Sequence, residues 1–214
     1  MNDYKTIKIE AQDEVVIKKS HFIGYAKPVQ TAEEAMEFVN KIKKMNHSAT
    51  HNVFAYVLKD GVSKRYSDDG EPQGTAGVPM LDVITKEGIV DCAVVVTRYF
   101  GGILLGTGGL VRAYTEGAKI ALKAAQIIKM TSCKTGQIHC DYNFYGKLNA
   151  FLGNKDVEVV GTDFADNVCL NVKMQAKDFD EFKSEVFDMS HGRFSCEEVC
   201  EEFCEWAGSL CSPK

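Results

Sequence analysis

The sequence predicts an α+β protein built as two domains, with boundaries at residues 1–132 and 133–214. Strand-like and helix-like segments alternate through the first part of the chain, while the second part orders its elements as βαββαβ. Charge changes at the same place. Up to Thr135 there are 18 Lys+Arg against 15 Asp+Glu, and from Gly136 onward 7 against 15, which together give the net charge of −5. A chain of 214 residues suits one large domain or two small ones.

In the first part, Thr6–Glu10 and Val15–Lys19 read as strands forming a hairpin, and Phe22–Val29 as a third strand. Thr31 with Glu34 three residues on is a capping box that starts a helix, whose apolar face is Ala35, Phe38, Val39 and Ile42. Val53–Leu58 is apolar and β-branched or aromatic, hence a strand. Thr75–Lys86 reads as a helix with Pro79 tolerated in its first turn. Ile89–Thr97 is a near-continuous apolar run, as a strand covered on both faces requires. A glycine loop follows, and Gly108–Ile128 then repeats Leu110, Val111, Ala118, Ala121, Leu122 and Ala125 at close to the helical period.

In the second part, Gln137–Tyr142 is a strand, Phe144–Leu152 a helix, and Val157–Gly161 and Val168–Met174 are strands joined by the turn-rich TDFADN. Phe179–Met189 is a helix and Phe194–Phe203 the last strand. This βαββαβ order is that of a ferredoxin-like split unit, with both helices on one face of an antiparallel sheet.

Composition narrows the function classes. With 45% hydrophobic and 26% charged residues the chain reads as an ordinary globular protein, not a strongly basic nucleic-acid binder. The amino terminus MNDYKTIKIE lacks the pattern of a secretory signal, and no apolar run is long enough to span a bilayer, so a cytoplasmic protein without a membrane partner is expected. Eight cysteines in such a chain read as buried small residues or free thiols. Cys196, Cys200 and Cys204 recur at a spacing of four but lack a C-x-x-C knuckle, so no metal and no cofactor is assigned.

Chemistry concentrates between Ser67 and Tyr114. Asp68-Asp69-Gly70-Glu71-Pro72 puts three carboxylates in one turn. They would hold a hard cation such as Mg²⁺, or serve as a solvated Asp-Gly and Glu-Pro turn. The small residues Gly74-Thr75-Ala76-Gly77 let a ligand or another backbone approach. Gly101, Gly102, Gly106, Gly108 and Gly109 lie between a buried strand and a helix, where free N–H groups can cradle an anion flanked by Arg98 and Arg112. The competing reading is a tight turn whose arginines neutralise the three acids. Neither the P-loop nor G-x-G-x-x-G is satisfied, since Thr107-Gly108 replaces Lys-Ser/Thr and Val111 occupies the last glycine position. His47 and His51 lack the Glu of a metalloprotease motif, and no nucleophile elbow or triad is legible.

The segments SHFIGYA, ATHNVFAYV, YSDDGEPQGTAGVPML and VVVTRYFGGILLGTGGLVRAYTEGA closely resemble the YigZ/Impact family. The resemblance implies a ribosomal-protein-S5-domain-2-like fold for the first domain. For the second it implies a ferredoxin-like fold similar to the last domain of elongation factor G. Carried onto this chain, the motif residues of the first block are His51, Asp68, Asp69, Glu71, Gly74, Thr75 and Gly77. Those of the second are Arg98, Tyr99, Gly101, Gly102, Gly106, Gly108, Gly109, Arg112 and Tyr114. Eukaryotic Impact is a regulator that binds a partner protein of a translation-controlling kinase. The expectation is therefore a non-enzymatic binding protein around translation, contacting RNA, the ribosome or a ribosome-associated protein through the Arg98/Arg112/glycine-loop surface. The alternative is a metal-dependent hydrolase or phosphate-ligand enzyme that uses the three acids with Mg²⁺ or a small-molecule phosphate.

Overall fold

Local chemistry sets each element in the computed structural model, which describes residues 3–60 and 62–206. Thr31 caps helix α1 (Ala32–Met45) by accepting from the Glu34 N–H at 3.2 Å, while the Glu34 carboxylate reaches back to the Gln30 N–H at 2.8 Å. Ala35, Phe38, Val39 and Ile42 are its buried face.

The chain divides into two compact units, one spanning Tyr4–Ile128 and the other running from Lys129 onward together with Asp3. In the first unit, β2 (Ala11–Ile17), β3 (Ser20–Pro28), β4 (His51–Val57), β5 (Lys64–Ser67) and β6 (Cys92–Tyr99) form an antiparallel sheet in the order β2-β3-β6-β4-β5. The apolar run places β6 at the centre, as two-sided burial demands. Helix α1 covers one face through Phe38, Val39 and Ile42 with Tyr25, Phe54 and Val95. Helices α2 (Gly77–Lys86) and α3 (Thr107–Ala124) cover the other, through Met80, Ile84, Leu110, Ala118 and Leu122 with Phe22, Val53, Val94 and Val96.

Several boundaries differ from the sequence reading. The hairpin joins β2 to β3, not β1 (Tyr4–Ile7) to β2. Its turn residues Lys18 and Lys19 have φ of 47° and 64°, the left-handed pair of a tight hairpin turn. The unit boundary falls within strand β7 (Ile127–Cys140). Helix α3 stops at Ala124, because Gln126 at φ 61° turns the chain, and β7 starts ten residues earlier than its apolar pattern suggested. Strand β5 is short, charged and at the sheet edge, so KRYS carries no apolar signal.

In the second unit, β7 is followed by α4 (Tyr142–Leu152), β8 (Glu158–Phe164), β9 (Val168–Gln175), α5 (Phe179–Met189) and β10 (Cys196–Glu205). The strands pair antiparallel in the order β10-β7-β9-β8. Leu148, Leu152, Phe182 and Val186 bury both helices in one core with Ile138, Leu170, Val172 and Met174. Of TDFADN, residues 162–164 stay in β8, so the turn is tighter than expected. Residues 207–214 of the expected second domain lie outside the described residues. The expectation of free or simply buried thiols is corrected at one pair: Cys133 of β7 and Cys204 of β10 form a disulfide. Cys196 is buried and Cys200 exposed, so the evenly spaced cysteines do not converge.

Candidate functional site

The three acids of the turn point to three different places. Asp68 accepts from the backbone N–H groups of Gly74 (2.9 Å), Ala76 (3.1 Å) and Gly77 (2.7 Å), and so caps α2, whose own N-cap Ala76 supplies no side-chain bond. Asp69, at φ 46°, accepts from Lys43 Nζ (2.6 Å) and from the Asn52 N–H (2.7 Å), tying the turn to α1 and β4. Only Glu71 turns inward. Among the described residues no three His, Cys, Asp or Glu side chains gather as a metal site would require. Replacing Asp68 with alanine strands three part-buried N–H groups. We expect a loss of about 2 kcal/mol or more in urea unfolding, with Asp68→Asn recovering part of it.

Strand register brings the partners of Glu71 together. Arg98 of β6 lies directly opposite His51 of β4 and Phe22 of β3, so the three share one face of the sheet, beneath α3. Arg98 Nη1 donates to Glu71 Oε1 at 2.6 Å, and the Tyr114 hydroxyl from α3 donates to the same oxygen at 2.8 Å. Arg98 is 5% exposed, Glu71 7% and Tyr114 0%. The guanidinium lies between the Phe22 and Phe100 rings, 5.6 and 5.4 Å from their centroids. Its Nε–H, also buried, meets no acceptor among the described residues. Burial, with Glu71 beside it, pushes the Tyr114 phenol far above its ordinary range, so it stays a proton donor to the carboxylate. The His51 Nδ1 lies 2.9 Å from the Asp69 carbonyl oxygen. A carbonyl only accepts, so Nδ1 carries the proton, and Nε2 faces Glu71 at 3.7 Å.

Above this polar floor opens a cleft of about 440 Å³. Its walls are Thr50, His51, Gly70, Glu71, Pro72, Arg98, Phe100, Leu104, Leu105, Gly106, Thr107 and Leu110. The α3 N-terminus enters it at Gly106 and Thr107, with no side chain capping the helix. Gly106 at φ 73° makes the turn that aims the helix there.

Not every residue singled out by sequence reaches the cleft. Tyr99, one residue after Arg98, points to the opposite face and donates to Asn46 Oδ1 at 2.9 Å, as the two-residue period of a strand dictates. Arg112 is exposed, and its Nε donates to the Gly108 carbonyl (3.2 Å) on the helix surface. Gly77 packs against Tyr66 and Ser67, and Gly101 against the Lys19 backbone, both for lack of room. Gly74 and Thr75 belong to the Asp68 turn, where the Thr75 hydroxyl donates to the Pro72 carbonyl at 2.6 Å. Gly102, Gly108 and Gly109 are outside the cleft lining, the last two in the first turn of α3. The sequence reading did not count Thr50, Gly70, Pro72, Phe100, Leu104, Leu105, Thr107 and Leu110 among the site residues. The signal available for Phe100, Leu104 and Leu105 was the apolar FGGILL inside a loop. Cys92 is no nucleophile, since burial pushes its thiol up to about 12.

Comparison with known proteins is consistent along the chain. The Impact N-terminal domain matches residues 18–122, and the Domain of unknown function (DUF1949) matches residues 138–193. The IMPACT family member YvyE of Bacillus subtilis is 37% identical over 200 residues, covering 92% of each chain. The IMPACT family member YigZ of Escherichia coli is 37% identical over 179 residues, covering 82% of this chain and 88% of YigZ. The Protein IMPACT of Danio rerio matches a smaller part, 32% identical over 104 residues, or 46% of this chain and 32% of that one. A crystal structure titled as that of a hypothetical protein superposes with a TM-score of 0.59 at 34% identity, over 94% of this chain and 100% of the other. The paired Impact N-terminal and DUF1949 matches, with relatives aligned over nearly the whole length, place the chain in the IMPACT family.

Proposed function

We propose that this chain is a non-enzymatic, cytosolic regulatory protein that binds a translation-associated protein partner, on or near the ribosome, through the rim of the first-unit cleft. The observation that carries this reading is the exposure of Phe100 (46%), Ile103 (41%) and Leu104 (83%) in one short loop at the cleft mouth. Apolar side chains clustered on a surface mark a contact with another protein more often than with nucleic acid. Two further features favour a protein over RNA. Arg98 is spent on Glu71 inside the molecule, and among the described residues no lysine lines the cleft. The resemblance to eukaryotic Impact, a partner-binding regulator, points the same way. The hydrolase alternative has no supporting observation, since the carboxylates it needs are separated and each is already bonded.

Co-sedimentation with ribosomes from the protein's own host, across a salt series, tests the proposal. Apolar docking predicts binding that survives salt, because burial of apolar area is not screened. Binding that falls steeply and linearly in log–log form would mean phosphate contacts and would overturn the protein-partner reading.

A further inference from the structure

Apart from the first-unit cleft, we infer that the β7/β10 strand pair of the second unit is a thiol–disulfide exchange site. In it Cys200 reacts with a small external disulfide and passes the bond through Cys133 to Cys204. Register places the three sulfurs on one face. Glu202 lies directly opposite Cys133, and Cys200 and Cys204 flank Glu202 at two residues to either side, so both are diagonal neighbours of Cys133 across the strand pair. Gly136 and Ile138 of β7 face the helices, Gly136 against the Phe179 ring, and the two-residue period therefore turns Cys133 to the other face of the sheet. Cys196, opposite Ile138, belongs to the helix side and takes no part.

Exposure assigns the roles. Cys133 is 0% exposed, Cys204 is half-buried, and Cys200 is exposed and free. The rate of exchange depends on access to the attacking sulfur, so a reagent from solvent meets Cys200 first. The Cys200 thiolate attacks a disulfide RSSR, forming the mixed disulfide Cys200–S–S–R and releasing one RS⁻. The Cys133 thiolate then attacks the Cys200 sulfur, forming a Cys133–Cys200 bond and releasing the second RS⁻. Last, the Cys204 thiolate attacks the Cys133 sulfur, which forms the Cys133–Cys204 bond and returns Cys200 as a free thiolate. Two protein thiols are oxidised and one RSSR is reduced to two thiols, and an excess of thiol runs the sequence backwards.

A disulfide needs Cα atoms within about 7 Å, and diagonal neighbours on paired strands stand about 7–8 Å apart. The β-bulge between Glu198 and Cys200 interrupts the ladder beside Cys200 and gives the slack for that approach. Exchange moves the tie along the strand. The Cys133–Cys204 bond, spanning 71 residues, encloses α4, β8, β9 and α5, whereas a Cys133–Cys200 bond leaves residues 201–205 held by the ladder and their side chains alone. Strand β10 carries Glu197, Glu198, Glu201, Glu202 and Glu205 and no basic residue, which favours a cationic disulfide as the reagent.

The test uses the full chain, reduced, freed of reductant and mixed with cystamine. Samples blocked with N-ethylmaleimide at intervals are cut with trypsin and Glu-C, which put Cys133, Cys200 and Cys204 on separate peptides for mass spectrometry. Of the three, Cys200 should carry the first adduct, followed by the Cys133–Cys200 bond and then by Cys133–Cys204 as the lasting product. Cys204→Ser should stop at Cys133–Cys200. Cys200→Ser should form Cys133–Cys204 about tenfold more slowly or worse. The time course of the parent decides the order without any variant, and circular dichroism of the reduced variants checks their fold. A first adduct at Cys204, no Cys133–Cys200 bond in the parent or in folded Cys204→Ser, oxidation of Cys200→Ser at the parental rate, or no reaction at all would each overturn the inference.

Discussion

Replacing Glu71 with alanine should lower the unfolding free energy of the first unit by about 3–5 kcal/mol, the largest loss expected from any side chain of the turn. The physical reason is asymmetry. The Glu71–Arg98 pair adds little net stability, because both ions left water to form it. Removing only the carboxylate leaves a guanidinium enclosed by Phe22 and Phe100 and a Tyr114 hydroxyl at 0% exposure, both without their acceptor. Two further variants separate these contributions. Tyr114→Phe should cost only about 1–2 kcal/mol, since it removes one hydrogen bond and keeps the ring packed edge-on against Phe22 at 5.4 Å. Glu71→Ala combined with Arg98→Met should be more stable than Glu71→Ala alone, since no uncompensated charge remains. Urea unfolding reads all four proteins. A single-variant loss below about 1 kcal/mol would mean that the pair is not enclosed as described.

Gly24→Ala should be nearly as damaging, at about 3 kcal/mol or more, although it adds a single methyl group. Gly24 lies in β3 beneath α3, and a Cβ there would run into the carbonyl oxygen of Gly117 and come within 3.0 Å of the Ala121 Cβ. From the other side, a Cβ at Gly117 would stand 2.9 Å from Val96 Cγ1. The two glycines therefore let α3 lie close on the sheet. That spacing sets the height of Tyr114 over Glu71 and the aim of the α3 N-terminus into the cleft. The obstacle at Gly24 is backbone, which cannot rotate away as a side chain would. Thermal unfolding checks it, with Gly108→Ala as the control in open space, where the effect should be small and stabilising.

The second unit was the more legible of the two in the sequence. All six elements of its βαββαβ order are present and α5 keeps the bounds its pattern gave, whereas the first unit hid β5 and paired its opening hairpin differently. The Thr31 box, the apolar run of β6 and the helical repeat of α3 are strong local signals, and each element stands close to where its pattern placed it. The opening hairpin was misplaced by one strand because Thr6–Glu10 and Val15–Lys19 are individually strand-like. Nothing local tells which neighbour they pair with. The first half of β7 went unseen because its alternation is shallow, with residues such as Lys129 and Thr131 never reaching the core.

At the site, residue types were legible and their division of labour was not. Three adjacent acids look alike in sequence, yet one caps α2, one ties the turn to α1 and β4, and one pairs with Arg98. That choice is made by tertiary packing. Two signals could have been used. Adjacent Arg98 and Tyr99 on a strand must face opposite ways. An interior strand glycine such as Gly24 marks a close backbone approach.

The claim that matters most is that the first unit docks a protein through the apolar rim of its cleft, not RNA through its arginines. Affinity for host ribosomes, measured at low and high salt for the parent, Leu104→Asp and Arg112→Ala, tests it most directly. Both substituted side chains are exposed, so neither change threatens the fold. Our account predicts that Leu104→Asp loses about tenfold or more at both salt concentrations, while Arg112→Ala stays within about twofold of the parent. Loss of binding in Arg112→Ala with Leu104→Asp unaffected, or binding by the parent that vanishes at high salt, would contradict it.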